Sequence, residues 1–294
     1  MINEVLLTRS VMFVPGSEPR RIQKTLEVPA DILVFDLEDA VSPNDKARAR
    51  EIVVEALASK DFAERQVLVR VNGVSSPWFK ADMQALADID HHALMLPKCE
   101  SIADLKALES FVEKDSYRLF AIIETALGVL KAADIAEIIS TENALCFGHV
   151  DFSADMGLND NDASTGSIYH ARCQLALAAK AYGVKAIDNI CLNVRDEGLI
   201  RQDALLGQQL GYDGKLCIHP YQVSIVNEVY TPSIEQVKRA ESILDAWEIA
   251  QQQGQGVFVF ENKMIDLPVI IAQQSVLRRA QAAGVISADK TVSI

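Results

Sequence analysis

Basic residues are in short supply. The 294-residue chain carries 28 Lys and Arg against 41 Asp and Glu, a formal net charge of −13 at pH 7. That balance excludes the sequence-independent electrostatic grip used on nucleic acids and anionic membranes. A single cleft can still be positive, because net charge describes the whole surface. Cysteine is sparse too: Cys99, Cys146, Cys173, Cys191 and Cys217 are odd in number, widely spaced and without a CxxC pair. Four lie in or beside apolar runs, so they are expected to be reduced and packed as small hydrophobes, not bridged or zinc-bound. No apolar stretch approaches the roughly 18 residues needed to span a bilayer. The N-terminal residues lack a basic region followed by an apolar segment, so no signal peptide is expected and a soluble cytoplasmic protein is. No GxGxxG follows the first apolar run, which argues against dinucleotide binding. No repeat of about 20 to 50 residues is visible beyond an alternation of strand and helix patterns.

Hydrophobic content of 49% leaves ample material for a core. Short apolar runs over 10–14, 32–35, 67–71 and 93–96, runs ending at Glu124 and Gly148, and runs over 186–188 and 214–218 read as eight strands. Helical spacing occupies 17–27, 43–58, 77–86, 101–114, 129–140, 168–182 and 197–210 between and after them. An amphipathic helix follows over 233–252, then a brief extended piece at 257–260 and a last helix from Pro268. The alternation predicts an α/β fold, a TIM-like (β/α)8 barrel over 1–230, with a C-terminal helical extension over 231–294. A doubly wound open sheet is the competing arrangement.

In a barrel, each strand delivers its last residue to one face, where catalytic groups gather. Here those positions read Pro15-Gly16, Asp36 with Glu38 and Asp39, Arg70, Lys98, Glu124, Asp151, Asp188 and His219. Strand ends before loops are often polar for no functional reason. The ensemble nevertheless looks like a site, with carboxylates enough for a cation and Arg70 and Lys98 for an anion. Glu124 and Asp151 close two successive apolar runs. If those strands are neighbours, two hard oxygen ligands meet at one sheet edge, a donor set suited to Mg²⁺.

Nine ordered stretches carry a resemblance: Arg9–Gly16 (RSVMFVPG), Phe35–Pro43 (FDLEDAVSP) with Lys46, Val69–Asn72 (VRVN), Leu96–Lys98 (LPK), Ile123–Gly128 (IETALG), Phe147–Phe152 (FGHVDF), Ala186–Asp188 (AID), Gly211–Pro220 (GYDGKLCIHP) and Lys263–Pro268 (KMIDLP). Together they resemble the citrate lyase β-subunit-like family of metal-dependent carbon–carbon lyases. The resemblance implies a TIM-like barrel, usually trimeric, that uses Mg²⁺ on an acyl-thioester.

Residue by residue, it implies Glu124 and Asp151 as metal ligands, Arg70 as the holder of the 2-oxoacid part, and Pro15 and Gly16 as a loop close to the substrate. Lys98 would support the thioester end. Asp36, Glu38 and Asp39 would orient Arg70, Lys98 or metal-bound water; an ion pair between Arg70 and that cluster is the plainer reading of the same residues. His219 is expected to be a structural hydrogen-bonder. Asp266 reads locally as a helix N-cap ahead of a proline. The resemblance makes it a catalytic acid supplied to a neighbouring subunit's site, in a homotrimer.

Two positions depart from the pattern, Leu127 where relatives carry arginine and Val150 where relatives carry an acid. The activity implied is Mg²⁺-dependent cleavage of a citramalyl-CoA-like 3-hydroxy-acyl-CoA to acetyl-CoA and a 2-oxoacid such as pyruvate. Alternatives are a malyl-CoA or citryl-thioester lyase, a malyl-CoA thioesterase or malate-synthase-like enzyme, and the β subunit of a citrate lyase complex acting on an acyl-carrier protein.

Overall fold

The structure is a computed structural model and describes residues 7–287 except 60, 61, 63, 64, 88, 90–92, 113–116 and 160. The eight expected strands all form: β1 (Ser10–Pro15), β2 (Ile32–Asp36), β3 (Gln66–Arg70), β4 (Ala93–Leu96), β5 (Arg118–Ile123), β6 (Ala144–Phe147), β7 (Lys185–Asp188) and β8 (Gly214–Cys217). Each pairs in parallel with the next, and β8 returns to β1 through Ser10↔Lys215, closing the barrel. The open sheet is therefore excluded and the TIM-like (β/α)8 fold stands.

Alternation along the strands separates two layers. Met12, Val14, Leu33, Phe35, Val69, Leu94, Ile123 and Phe147 point outward and merge with the helices into one continuous core. The opposite parity puts Asp36, Arg70 and Glu124 inward, at the C-terminal mouth of the barrel. The sequence thus uses one side of each strand for packing and keeps the other for the site.

The surrounding helices are α1 (Pro19–Lys24), α2 (Lys46–Ser59), α3 (Phe79–Ala87), α4 (Ile102–Glu109), α5 (Ala126–Ile138), α6 (His149–Asp155), α7 (Gly166–Ala181), α8 (Glu197–Leu210) and α9 (Pro220–Tyr230). Several boundaries shift from the expected ones. Pro43–Asp45 forms a separate 3-10 turn ahead of α2. α4 stops at Glu109, four or more residues early, and its start carries the anticipated Ser101/Asp104 capping box. α5 begins at Ala126, because Thr125 accepts a hydrogen bond from the Gly128 N–H and caps it there. α6 was not expected at all; it places Asp151 in a helical first turn rather than in a loop.

A second compact unit comprises, among the described residues, Leu7 and 231–287. It holds α10 (Ile234–Gln252), an antiparallel pair β9 (Phe258–Phe260) and β10 (Lys263–Ile265), and α11 (Leu267–Ala282). Its core is two small clusters, Val237, Ala240, Leu277 and Ala280 between α10 and α11, and Ile243, Ile265 and Ile270 with Trp247 and Phe258 packed against them. All five cysteines are free, and no described helix is long and apolar enough to cross a membrane.

Candidate active site

The mouth is built on a register coincidence. Asp36 ends β2, Arg70 ends β3, and the two stand directly opposite each other across the strand pair. The Asp36 carboxylate takes Arg70 Nε at 2.7 Å and Nη2 at 2.6 Å. Its remaining acceptor capacity goes to the Glu38 and Ala40 backbone N–H groups. Arg70 is held on its other face by the Phe13 ring, 4.7 Å away. Nη1 lies 3.0 Å from Glu38 and 3.9 Å from Asp39. The ion pair between Arg70 and the acidic cluster is therefore formed. It uses the Nε–Nη2 edge, so hydrogens on Nη1 and Nη2 remain for a ligand carboxylate.

Lys98 crosses the mouth. It follows Pro97 at the end of β4 and adopts φ +50°, a left-handed conformation costly for a residue with a side chain. That turn aims its backbone N–H at Glu124 Oε1, 2.8 Å away. Its ammonium reaches Glu38 Oε1 at 2.6 Å and Asp151 Oδ1 at 3.6 Å. Lys98, Glu124 and Asp151 are thus brought together at the mouth. Glu38 bridges them to Arg70.

Glu124 directly follows β5 and Asp151 sits in the first turn of α6, just beyond the neighbouring β6, whose Phe147 is in register with Ile123. Glycine is required between them: a Cβ on Gly148 would stand 2.4 Å from Glu124 Oε2 and 2.5 Å from Glu124 Cβ. Glu124 is nearly fully buried. Burial first, then the negative charges of Asp151 and Glu38, push its carboxyl up to about 8 against the pull of Arg70 and Lys98. Glu38 is raised as well, chiefly by burial, whereas Asp36 is lowered because the Arg70 guanidinium outweighs the burial that opposes it.

Five carboxyl groups, Asp36, Glu38, Asp39, Glu124 and Asp151, meet three basic side chains, Arg70, Lys98 and the buried Lys46, and burial is the largest reason that Glu124 and Glu38 hold their protons. Among the described residues no cluster of three or more His, Cys, Asp or Glu side chains has metal-binding geometry. A two-carboxylate site remains a good match to Mg²⁺, which keeps positions for water and substrate oxygens. Glu124 Oε2 accepts no hydrogen bond from the described residues, and Asp151 is half-exposed. The donor set and the excess of carboxyl groups over basic side chains both fit the group.

Other expected residues are placed differently. A Cβ on Gly16 would meet the Asp36 backbone oxygen at 2.7 Å and Val53 at 2.9 Å. Its lack of a side chain serves the packing of β1 on β2 and α2, because this position points outward; the expected reason, close approach to a substrate, is not what the geometry requires. Pro15 ends β1, partly exposed, with inward parity. Asp188 also ends a strand but has outward parity. It lies in the helical layer, bound by Arg172 at 2.5 and 2.8 Å and by Lys215 at 3.0 Å, so it takes no part in the mouth.

His219 Nδ1 accepts the Tyr221 N–H. Leu127 is half-exposed at the start of α5, and Val150 is partly buried on α6. Asp266 caps α11 in the C-terminal unit, accepting from the Val269 N–H, with Pro268 in the first turn.

Lys46 is a support whose burial the sequence does not announce. Within a helix of mixed charge it reads as solvated, yet its ammonium donates to the Leu37 and Glu38 carbonyls and Asn72 Oδ1, each at 2.7 Å. Asn72 in turn binds Asp82, which pairs with Arg50. This chain fixes the turn that carries Glu38 and Asp39. Its only sequence signal was membership of the FDLEDAVSP stretch with Lys46.

Residues 9–220 match the HpcH/HpaI aldolase/citrate lyase family model. A citrate lyase subunit β from Leuconostoc mesenteroides subsp. cremoris is 34% identical over 98% of both chains. A (3S)-malyl-CoA thioesterase from Cereibacter sphaeroides is 35% identical over 96% of this chain and 97% of its own. The mitochondrial citramalyl-CoA lyase of Rattus norvegicus is 33% identical over 92% and 86%. The crystal structure of CitE from Mycobacterium tuberculosis, in complex with magnesium, acetoacetate and coenzyme A, superposes with a TM-score of 0.79 at 30% identity, covering 93% of this chain and 98% of that one. The chain belongs to the HpcH/HpaI aldolase/citrate lyase family and is a carbon–carbon lyase.

Proposed function

We propose that the protein cleaves a 3-hydroxy-acyl-CoA of the citramalyl-CoA type to acetyl-CoA and a 2-oxoacid such as pyruvate, with Mg²⁺ as its cofactor. The observation that carries this reading is the gathering of Glu124, Asp151 and Arg70 at one barrel mouth, two carboxyl groups linked through Lys98 beside a guanidinium whose plane Asp36 fixes. Glu124 and Asp151 would hold the cation, which when bound supplies Lewis-acid polarisation and a template for adjacent substrate oxygens.

Arg70 pairs with the carboxylate that becomes part of the oxoacid. It is a better partner than lysine there, because Asp36 fixes the plane of its fork. As the hydroxyl proton passes to a solvent water, the O–H bonding pair forms the new carbonyl. The carbon–carbon bonding pair passes to the carbon next to the thioester, giving an enolate. Asp266, arriving from a neighbouring copy in a homotrimer, supplies the proton that this carbon takes up. Lys98 supports the thioester end, and Glu38 and Asp39 hold Lys98 and Arg70 in place.

The purified protein is to be incubated with Mg²⁺ and, separately, citramalyl-CoA, malyl-CoA and citryl-CoA. Pyruvate together with acetyl-CoA from the first is the expected result. Glyoxylate or oxaloacetate from the other two would move the substrate within the class. No 2-oxoacid from any of the three would refute the lyase reading. The similarity to a malyl-CoA thioesterase supports a second reading, thioester hydrolysis, for which free CoA would appear without acetyl-CoA. The similarity to a citrate lyase β subunit supports a carrier-bound substrate, for which turnover would require an acyl-carrier protein.

A further inference from the structure

The carboxylates at the mouth differ in how firmly they are carried. Glu124 directly follows the buried end of β5. Asp151 belongs to α6, a helix of seven residues with no side-chain cap at Gly148. A helix so short is not stable by itself and takes its place from what it touches. Burial of His149, Phe152 and Ser153, with the Phe152 ring against Phe147, decides which side of α6 faces the barrel. Apolar contact is non-directional, however, and leaves a short helix room to roll or slide. A directional contact comes from the last residue of α6, Asp155.

Asp155 lies one turn beyond Asp151, so the two side chains share a face of α6. Asp155 Oδ2 accepts the Ala126 N–H at 2.7 Å. Ala126 opens α5 and stands two residues past Glu124. Its N–H is one of the donors that the start of a helix leaves unpaired, and Thr125 serves a different one, that of Gly128. The bond is charge-assisted, and the carboxylate meets the positive end of the α5 dipole. One face of α6 therefore carries two acids. Asp151 faces the Lys98 ammonium, whose residue holds Glu124 through its backbone, and Asp155 grips the chain just past Glu124. Both ends of the short segment 124–126 are thus tied to neighbours, and one tie leads straight to the helix of Asp151.

We propose that Asp155 is a positioning residue: by tethering α6 to the start of α5 it fixes the separation of Asp151 from Glu124, and with it the size of the cation that the pair accepts. The inference rests on the reading of those two carboxylates as metal ligands. Mg²⁺ requires oxygen ligands at about 2.0–2.1 Å in near-octahedral geometry, whereas Ca²⁺ accepts about 2.3–2.6 Å and irregular geometry. A closely held pair therefore suits the smaller ion. Once ionised, the two carboxylates repel each other, and with the tether gone α6 is free to yield to that repulsion. The preference then moves toward Ca²⁺.

Mg²⁺ and Ca²⁺ are to be titrated calorimetrically, without substrate, into the full-length protein and its Asp155→Ala and Asp155→Asn variants. Asparagine keeps an acceptor oxygen and removes the charge. Asp155→Ala is expected to bind Mg²⁺ about tenfold more weakly, in the range found when a residue that orients a metal ligand is lost. Ca²⁺ is expected to change far less, so the preference for Mg²⁺ falls by nearly the same factor, while Asp155→Asn stays close to the unmodified protein with both ions. Amide exchange at Ala126, followed by NMR without metal, is expected to accelerate in Asp155→Ala and not in Asp155→Asn. An unchanged preference in a folded Asp155→Ala protein overturns the proposal. So does a parallel change in both affinities that is equal in the two variants, because Asp155 would then act by its charge alone. Failure of the unmodified protein to bind either cation would refute the metal reading itself, and the positioning role with it; that failure shows before any substitution is made.

Discussion

The Lys98 ammonium stands 3.6 Å from Asp151 while its own backbone N–H holds Glu124 at 2.8 Å. One residue thus positions the carboxylate pair and also partly neutralises it. These two roles are separable. Lys98→Met keeps the N–H and removes the charge, so a cation binding to Glu124 and Asp151 no longer competes with the ammonium. Mg²⁺ affinity is expected to rise about fivefold, near 1 kcal/mol for a partly exposed ion pair. Calorimetric titration of the two proteins checks this. A weaker affinity in the variant would show that Lys98 assists the cation instead of opposing it.

Metal binding should depend on pH in a defined direction. Without metal, Glu124 keeps its proton up to about 8 in the folded protein, against an ordinary value near 4.5. Between those values the folded state binds more protons than the unfolded one, so stability falls as pH rises through this window. Mg²⁺ needs the ionised carboxylate and therefore releases a proton on binding below pH 8. Titrations at pH 7 in two buffers of different ionisation enthalpy are expected to give different apparent heats. Identical heats would contradict the shift.

Gly148 tests the closeness of the pair. A methyl group there would fall 2.4 Å from Glu124 Oε2. Gly148→Ala is expected to destabilise the fold by about 1–3 kcal/mol through overpacking and to displace Glu124, weakening Mg²⁺ binding. Urea denaturation and metal titration together read both effects.

Arg70→Lys preserves charge but loses the fork that matches Asp36. On the substrate established by the assay above, kcat/KM is expected to drop roughly hundredfold or more, with the circular dichroism spectrum unchanged. A loss below tenfold would leave Arg70 as a structural partner of Asp36 only.

The quartet of Arg172, Asp188, Lys215 and the partly exposed Asp203 makes a stability prediction. Arg172 and Asp188 are fully buried and 2.5 Å apart. Arg172→Met leaves Asp188 with Lys215 as its remaining cation and should cost about 3–5 kcal/mol. Thermal denaturation measures it.

What the sequence discloses follows from where each force acts. Every barrel strand was legible, because each is a short apolar run stopped by a charge, a glycine or a proline. The pairing of Glu124 with Asp151 was legible for the same reason, since successive strands of a barrel are neighbours. α6 was not: seven residues beginning at His149 carry no side-chain cap at Gly148, so its formation depends on burial of His149, Phe152 and Ser153, with the Phe152 ring against Phe147. Lys46 and Arg172 were missed as buried groups because a charge on a helix is normally solvated. Only their partners, Asn72 and Asp188, lying 26 and 16 residues away, reverse that expectation.

Asp36 and Asp188 occupy the same place in their strands, yet one serves the mouth and the other the helical layer. The difference is parity alone. A one-residue insertion within β5 would turn Ile123 into the cavity and send Glu124 against α5, without changing composition, charge or strand propensity. The catalytic endowment of this barrel is therefore encoded in odd and even counting as much as in residue identity. Insertions inside its strands should be silenced far more strictly than substitutions of the same residues, whereas its loops can lengthen freely.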